Sequence, residues 1–332
     1  MPQLRKDPVT NRWVIVNVEK PMLKFAVEPP AKSTTKICPF CPGNEAMTTA
    51  EIMVLGRKDG SRNISNWLVR VISNKFPALR IEDAAQKLAV GMYDKIGGFG
   101  AHEVIVENPD HRKEMADLPV EHVELILRAY RERCQDLRKD LRFQYVLIFK
   151  NFGSAAGASL EHPHSQLIAL PIVPSRVLSE LKGCGKYFEY KDRCVICDML
   201  SQETLDRRLG ILQDEGFAAV APFASRFPFE TWVLPTAHQA NFDQLTDAEL
   251  RNLARVLKAT LQRLKGALNN PAYNMMIHTL PMNGKDGESY HWHIEIIPHL
   301  TQVAGFELGT GFYVNPTPPE LAAEILRKQA EG

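Results

Sequence analysis

The chain has 332 residues, 45% of them hydrophobic and 24% charged, with 40 Lys+Arg against 39 Asp+Glu. That length suits about two domains, and a net charge of +1 argues against holding nucleic acid through a general basic surface. No apolar run reaches the roughly 18 residues of a membrane span, and Met1–Pro8 has no apolar signal-peptide core, so a cytoplasmic protein without a membrane partner is expected.

In chain order, residues 8–30 read as an extended arm, with a strand over Trp13–Val18 and a stop at Pro29-Pro30. Cys38-Pro-Phe-Cys41 follows, with Pro42 and Gly43 next, the composition of a tight knuckle. A short strand from Arg70 runs into a turn at Pro77, and a strand over Glu103–Glu107 ends at Asn108-Pro-Asp-His111. Apolar Val123, Ile126, Leu127, Tyr130 and Leu137 predict a helix from Val120 towards Arg142. The strand Tyr145–Phe149 then enters the small-residue loop Asn151–Ser159, and a second extended segment carries His162, His164 and Gln166.

The same order returns downstream. Cys194-Val-Ile-Cys197 reads as a second knuckle, after Cys184 in a Gly-flanked turn. The strand Glu230–Leu234 ends at Pro235-Thr-Ala-His238, and a helix capped near Thr246 spans Asp247–Leu268. The strand Tyr273–Ile277 and a Gly-containing loop precede His291-Trp-His293 on the segment Tyr290–Pro298. The lone histidine precedes the first of its pair by 51 residues in one half (162 − 111) and 53 in the other (291 − 238). This agreement predicts an internal duplication in the α+β class, each copy an antiparallel sheet with packed helices, over residues 1–175 and 190–330 with a seam near Pro174–Lys191.

Each copy holds two cysteines and two histidines: Cys38, Cys41, His111 and His162, then Cys194, Cys197, His238 and His291. Two thiolates and two imidazoles make a closed tetrahedral set for zinc, so two structural zincs per chain are expected. The alternatives are thiol pairs without metal and a redox motif. The latter needs a Cys-x-x-Cys at a helix start after a strand, and neither pair reads that way. A disulfide framework is disfavoured for a cytosolic chain, which leaves Cys134 and Cys184 as unpaired thiols.

Residues two apart on a strand share a face, so His162 and His164 look into one pocket. With His162 committed to metal, His164 is free as a neutral imidazole nucleophile towards phosphorus. Gln166, Ser159, Ser165 and the backbone N–H groups from Gly153 to Ala158 are candidate phosphate donors. Arg70 either reaches a phosphate or pairs with a nearby acid. His291-Trp-His293 lacks the glutamine, so one active centre per chain is expected, in the first half, and Trp292 reads as packing. His102, His122, His278 and His299 have no partner pattern and read as surface or structural residues.

His162-Pro-His164-Ser-Gln166, Asn151 with the loop Gly153–Ser159, Cys38-Pro-Phe-Cys41, Arg70-Val-x-x-Asn74-x-Phe76 and Pro109-Asp-His111 together resemble the galactose-1-phosphate uridylyltransferase family of the histidine-triad superfamily. The resemblance implies tandem histidine-triad-like units. It also implies a double displacement in which His164 takes a nucleotide from a nucleotide sugar and passes it to a sugar 1-phosphate or phosphate. It assigns Gln166 to the covalent intermediate, Asn74 and Phe76 to the nucleoside, and Asn151 and Ser159 to phosphate oxygens, and it implies a homodimer. The expected activity is first UDP-glucose–hexose-1-phosphate uridylyl transfer. Gly305-Phe306-Glu-Leu-Gly-Thr310-Gly311, Ser165 and the complete second Cys/His set resemble instead the plant-type ADP-sugar phosphorylases, the second expectation. A non-catalytic zinc-stabilised nucleotide binder is the reading from another class, and a hydrolase with water as acceptor is a third.

Overall fold

The computed structural model describes residues 1–27, 37–57 and 65–329; the expected stop at Pro29-Pro30 lies outside them. The chain begins with β1 (Gln3–Lys6) and β2 (Trp13–Val16), a pair that the sequence had indicated only in its second strand. Then come β3 (Glu51–Leu55), β4 (Val69–Ser73), the hairpin β5 (Lys87–Val90) and β6 (Tyr93–Ile96), and β7 (Ala101–Val106). Helix α1 (Val120–Leu137), β8 (Tyr145–Phe152) and β9 (His164–Leu170) complete the first half. Two helices, α2 (Ser175–Lys191) and α3 (Val195–Asp206), lead to β10 (Gly210–Asp214), β11 (Phe217–Val220) and β12 (Thr231–Pro235). The chain ends with α4 (Asp247–Leu268), β13 (Tyr273–His278), β14 (His293–Pro298), α5 (Gly305–Thr310), β15 (Tyr313–Asn315) and α6 (Pro319–Lys328).

Ten strands form one sheet in the order β10-β11-β12-β14-β13-β8-β9-β7-β4-β3. Every pairing in it is antiparallel. The order is the same read outward from the β8–β13 joint: β8, β9, β7, β4, β3 on one side and β13, β14, β12, β11, β10 on the other. The duplication is therefore present as five strands plus five, joined where Ile148 faces Ile277 and Phe152 faces Tyr273.

Helices α1 and α4 cover one face of this sheet. Their inward residues recur at helical spacing, Val123, Ile126, Leu127 and Tyr130 on α1 and Leu250, Leu253, Leu257, Leu261 and Leu264 on α4, and all are buried. Thr246 starts α4 with a reciprocal capping box: its Oγ1 accepts from Glu249 N at 3.2 Å, and Glu249 Oε2 accepts from Thr246 N at 2.7 Å. The metal-type residues and the candidate site lie on the opposite face, against smaller apolar clusters such as Phe40, Trp67, Ile72, Val104 and Val106.

Two local expectations need correction. Cys194 is the residue before the first turn of α3, so Cys194-Val-Ile-Cys197 opens a helix and is not a knuckle. Cys184 lies inside α2, not in a turn. The glycine beside it has a packing cause: a Cβ on Gly183 would sit 1.6 Å from the Val9 carbonyl oxygen, because the N-terminal arm crosses the helix there.

Candidate active site and metal centres

The first Cys-x-x-Cys approaches the sheet so that Cys41 Sγ lies 3.4 Å from His111 Nδ1 and 3.6 Å from His162 Nδ1, with Cys38 Sγ 3.7 Å from His162 Nδ1. In the second set, Cys197 Sγ lies 3.5 Å from both His238 Nδ1 and His291 Nδ1, and Cys194 Sγ 3.9 Å from His291 Nδ1. A tetrahedral ion with metal–sulfur and metal–nitrogen bonds of about 2.3 and 2.05 Å separates sulfur from nitrogen by about 3.6 Å. Both sets have that spacing. All four ligand atoms in each lie within 4.8 Å of one another.

The supporting hydrogen bonds also repeat. His162 Nε2 faces the Asn108 carbonyl at 2.8 Å and His291 Nε2 the Pro235 carbonyl at 3.0 Å, in each case three residues before the lone histidine of that half. His238 Nε2 faces the Gly287 carbonyl at 2.8 Å. Donation from Nε2 leaves Nδ1 as the lone pair aimed at the ligand set, the usual arrangement around a metal-bound imidazole. Burial and the neighbouring Cys38 push the Cys41 thiol up to about 11, so a cation is what would hold both sulfurs as thiolates. The donor sets fit a divalent metal.

His164 opens β9. Its Nδ1 lies 2.8 Å from the His162 carbonyl oxygen, an acceptor, so Nδ1 carries the proton and Nε2 the lone pair. Burial, with the Lys150 ammonium behind the strand, lowers its pKa below the ordinary imidazole value. The ring is therefore neutral at pH 7, the form that attacks phosphorus. Phe40 packs across it at 5.4 Å between ring centroids.

Gln166 shares the face of His164, as the two-residue period requires, and its Oε1 lies 2.8 Å from His102 Nε2. Asn151 is held from the second half: Asn274 Nδ2 donates to Asn151 Oδ1 at 2.7 Å and to the Ala156 carbonyl at 2.9 Å. Gly153 and Gly157 have φ of 81° and 84°, the left-handed region where glycine is free of strain. Exposed Ser159 closes the loop. The loop's amides are less available than expected. Ala156 and Ala158 donate to the Gly153 carbonyl and Gly157 to that of Ser154, leaving side chains with a larger share of any ligand binding. Asn74 is half-buried beside His102, and Phe76 is 84% exposed. Asn74 and His102 both line a cleft of about 960 Å³.

Two expected phosphate contacts are placed elsewhere. Ser165 is fully buried on the helix-facing side, hydrogen-bonded to Glu107 and Tyr130. The same period of two that pairs His164 with Gln166 puts Ser165 on the other face. Arg70 is also fully buried, with Nε donating to Glu51 Oε1 at 2.7 Å, so its acid-pairing alternative holds. Behind the nucleophile strand, Glu107 accepts from Lys150 Nζ at 2.6 Å and from Tyr130 at 3.3 Å, all within the core.

The second-half counterpart of this site is closed. His293, which opens β14 as His164 opens β9, is stacked between Trp232 and His278 at 4.5 and 4.9 Å and is 1% exposed. His278 Nδ1 and Tyr290 Oη meet Glu180 Oε2 at 3.0 and 3.2 Å, making a buried polar group. Sequence reasoning missed it because Glu180 lies 98 residues from its histidine.

Residues 1–174 match the family described as galactose-1-phosphate uridyl transferase, N-terminal domain, and residues 180–328 match its C-terminal domain. An ADP-glucose phosphorylase from Arabidopsis thaliana is 38% identical over 98% of this chain and 93% of its own length. A galactose-1-phosphate uridylyltransferase from Thermotoga maritima is 30% identical over 99% and 98%. The crystal structure of an Arabidopsis thaliana ADP-glucose phosphorylase with bound ADP-glucose superposes with a TM-score of 0.86, at 36% identity and with full coverage of both chains.

Proposed function

From the premise that this chain belongs to the galactose-1-phosphate uridyl transferase family, we infer that it transfers a nucleoside monophosphate through His164, and that the nucleotide is AMP. Sequence reasoning put uridylyl transfer first. That order reverses, because the 38% identical relative is an ADP-glucose phosphorylase while the uridylyltransferases stand at 30% and below. The observation that carries the chemistry is His164 itself, neutral, with Nδ1 tied to a carbonyl and Nε2 left to attack.

In the proposed first step the Nε2 lone pair attacks the α-phosphorus of an ADP-sugar. The bond from that phosphorus to the bridging oxygen breaks, and the sugar 1-phosphate departs with both electrons. In the second, an oxygen of inorganic phosphate attacks the adenylyl-histidine, releasing ADP and restoring the imidazole. Gln166, Asn151 and Ser159 would donate to the phosphoryl oxygens. Asn74 and Phe76 would meet the nucleoside, and the Gly153 turn would admit the phosphates. Zinc is the proposed occupant of both Cys/His sets, in a structural role, since four protein ligands leave no open position. Among the described residues no helix is long and apolar enough to cross a membrane. A cytoplasmic homodimer completes the reading, supported by the exposed Leu88, Val90, Met92 and Tyr93 of the β5–β6 hairpin.

The test is intact mass after mixing the enzyme with ADP-glucose or UDP-glucose and no acceptor. An AMP adduct, discharged by phosphate and missing from His164→Asn, is expected. A UMP adduct would restore the uridylyltransferase reading, and no adduct from either sugar nucleotide would overturn covalent transfer.

A further inference from the structure

A glutamine aids a phosphoryl group only with its amide nitrogen turned towards it, because its carbonyl oxygen would repel the charge. The two ends of a carboxamide are nearly the same size, so a neighbour has to choose between them. For Gln166 that neighbour is His102, on the adjacent strand β7 and on the same face. In the β7–β9 register Gln166 stands opposite Val104, which makes His102 its diagonal partner.

The proton on His102 is fixed by its other nitrogen. The Ala78 backbone N–H donates to His102 Nδ1 at 3.1 Å, and a backbone N–H can only donate. The neutral ring therefore carries its proton on Nε2 and donates it to Gln166 Oε1 at 2.8 Å. With the carbonyl end engaged, the Gln166 NH₂ points away from His102. We propose that His102 is a positioning residue, holding the Gln166 carboxamide with its N–H donors towards the phosphoryl group under attack.

His102 also joins this donor to the loop expected to meet the nucleoside. Its carbonyl accepts from Asn74 N at 2.8 Å, and Asn74 Oδ1 is occupied by Phe76 N at 2.8 Å. Asn74 Nδ2 lies 3.0 Å from His102 Nε2, which already bears a proton and offers no lone pair. The Asn74 amide hydrogens are left for a ligand. A ring that accepts from the Ala78 end of this loop and donates to Gln166 aligns the two binding elements.

This inference rests on the proposed nucleotidyl transfer, and the experiment separates the two. Single-turnover adenylylation by ADP-glucose is followed in the wild type, His102→Asn, His102→Gln, Gln166→Ala and the double variant His102→Asn/Gln166→Ala. Asparagine supplies no donor at the Nε2 position, whereas the longer glutamine does. His102→Asn is expected to slow adenylylation about 10- to 100-fold, the size of loss seen when the partner orienting a metal-bound side chain is removed, with the ADP-glucose concentration giving half the maximal rate little changed. His102→Gln is expected to recover most of the rate. In the Gln166→Ala background the His102→Asn change is expected to add less than twofold, because its partner is gone. Multiplying losses in the double variant would overturn the proposal, as would a His102→Asn enzyme at the wild-type rate or a His102→Gln enzyme no better than His102→Asn. Absence of adduct in the wild type would instead refute the transfer chemistry.

Discussion

Lys150 supplies the cation to the buried carboxylates beside the nucleophile strand. It is 1% exposed and its ammonium meets Glu107, itself 0% exposed, at 2.6 Å, with Glu114 3.5 Å away. Replacing it by methionine keeps the length and removes the charge. Glu114, which burial already pushes up to about 7, can then turn neutral at little cost, whereas Glu107 is left as a buried carboxylate with only hydroxyl donors. It must stay charged without its cation or take up a proton. Protonating an ordinary glutamate of pKa about 4.3 at pH 7 costs about 3.7 kcal/mol, within the 3–5 kcal/mol typical of breaking a buried pair. Denaturant unfolding of Lys150→Met should show that loss at pH 7. The deficit should shrink by about 1.4 kcal/mol for each pH unit of acidification, because protonation becomes easier. Lys150→Met/Glu107→Gln should recover much of it. A single variant losing under about 1 kcal/mol, or a double variant no better than the single, would refute the assignment of Lys150 as the charge partner of Glu107.

Three other outcomes are expected. Cys41→Ser should lower bound zinc from about two per chain to one, read by metal analysis of purified protein, and unchanged stoichiometry would remove Cys41 from the ligand set. The depressed pKa of His164, caused first by burial, means that the neutral nucleophile persists as pH falls. Single-turnover adenylylation should therefore fall to half its plateau only at a pH below the ordinary imidazole value of about 6.5. An inflection at or above 6.5 would contradict that. Thr246→Ala removes the cap of α4 and should cost about 1 kcal/mol in denaturant unfolding, with no change expected in adduct formation.

What could be read in advance followed from local rules. The capping residue Thr246 and the apolar period of α4 placed that helix, and the repeated Cys/His order led to two antiparallel units, which the structure joins into one sheet of five strands plus five. All but one of the errors came from contacts that no local rule encodes. Gly183 looks like a turn signal until the Val9 carbonyl is placed against it. Val195 and Ile196 gave Cys194–Cys197 no helical pattern, yet α3 starts there because its buried face meets Trp232 and Leu234 from a distant strand. His102 had no partner pattern because its partners are Ala78 in a loop and Gln166 two strands on in sequence. Ser165 was legible and misassigned, since strand alternation alone turns it away from His164.

The joint between β8 and β13 is also what covers the exposed edge of each half. Each half on its own would end in an open strand with apolar Ile148 or Ile277 and its backbone donors and acceptors bare, a template for pairing with another chain. In this chain the β8–β13 pairing closes that edge, and the covalent link between the halves makes the pairing intramolecular. One copy leaves the histidine that opens its strand 8% exposed, while the other seals the equivalent His293, 1% exposed, between Trp232 and His278 and contributes Asn274, across the joint, to hold Asn151.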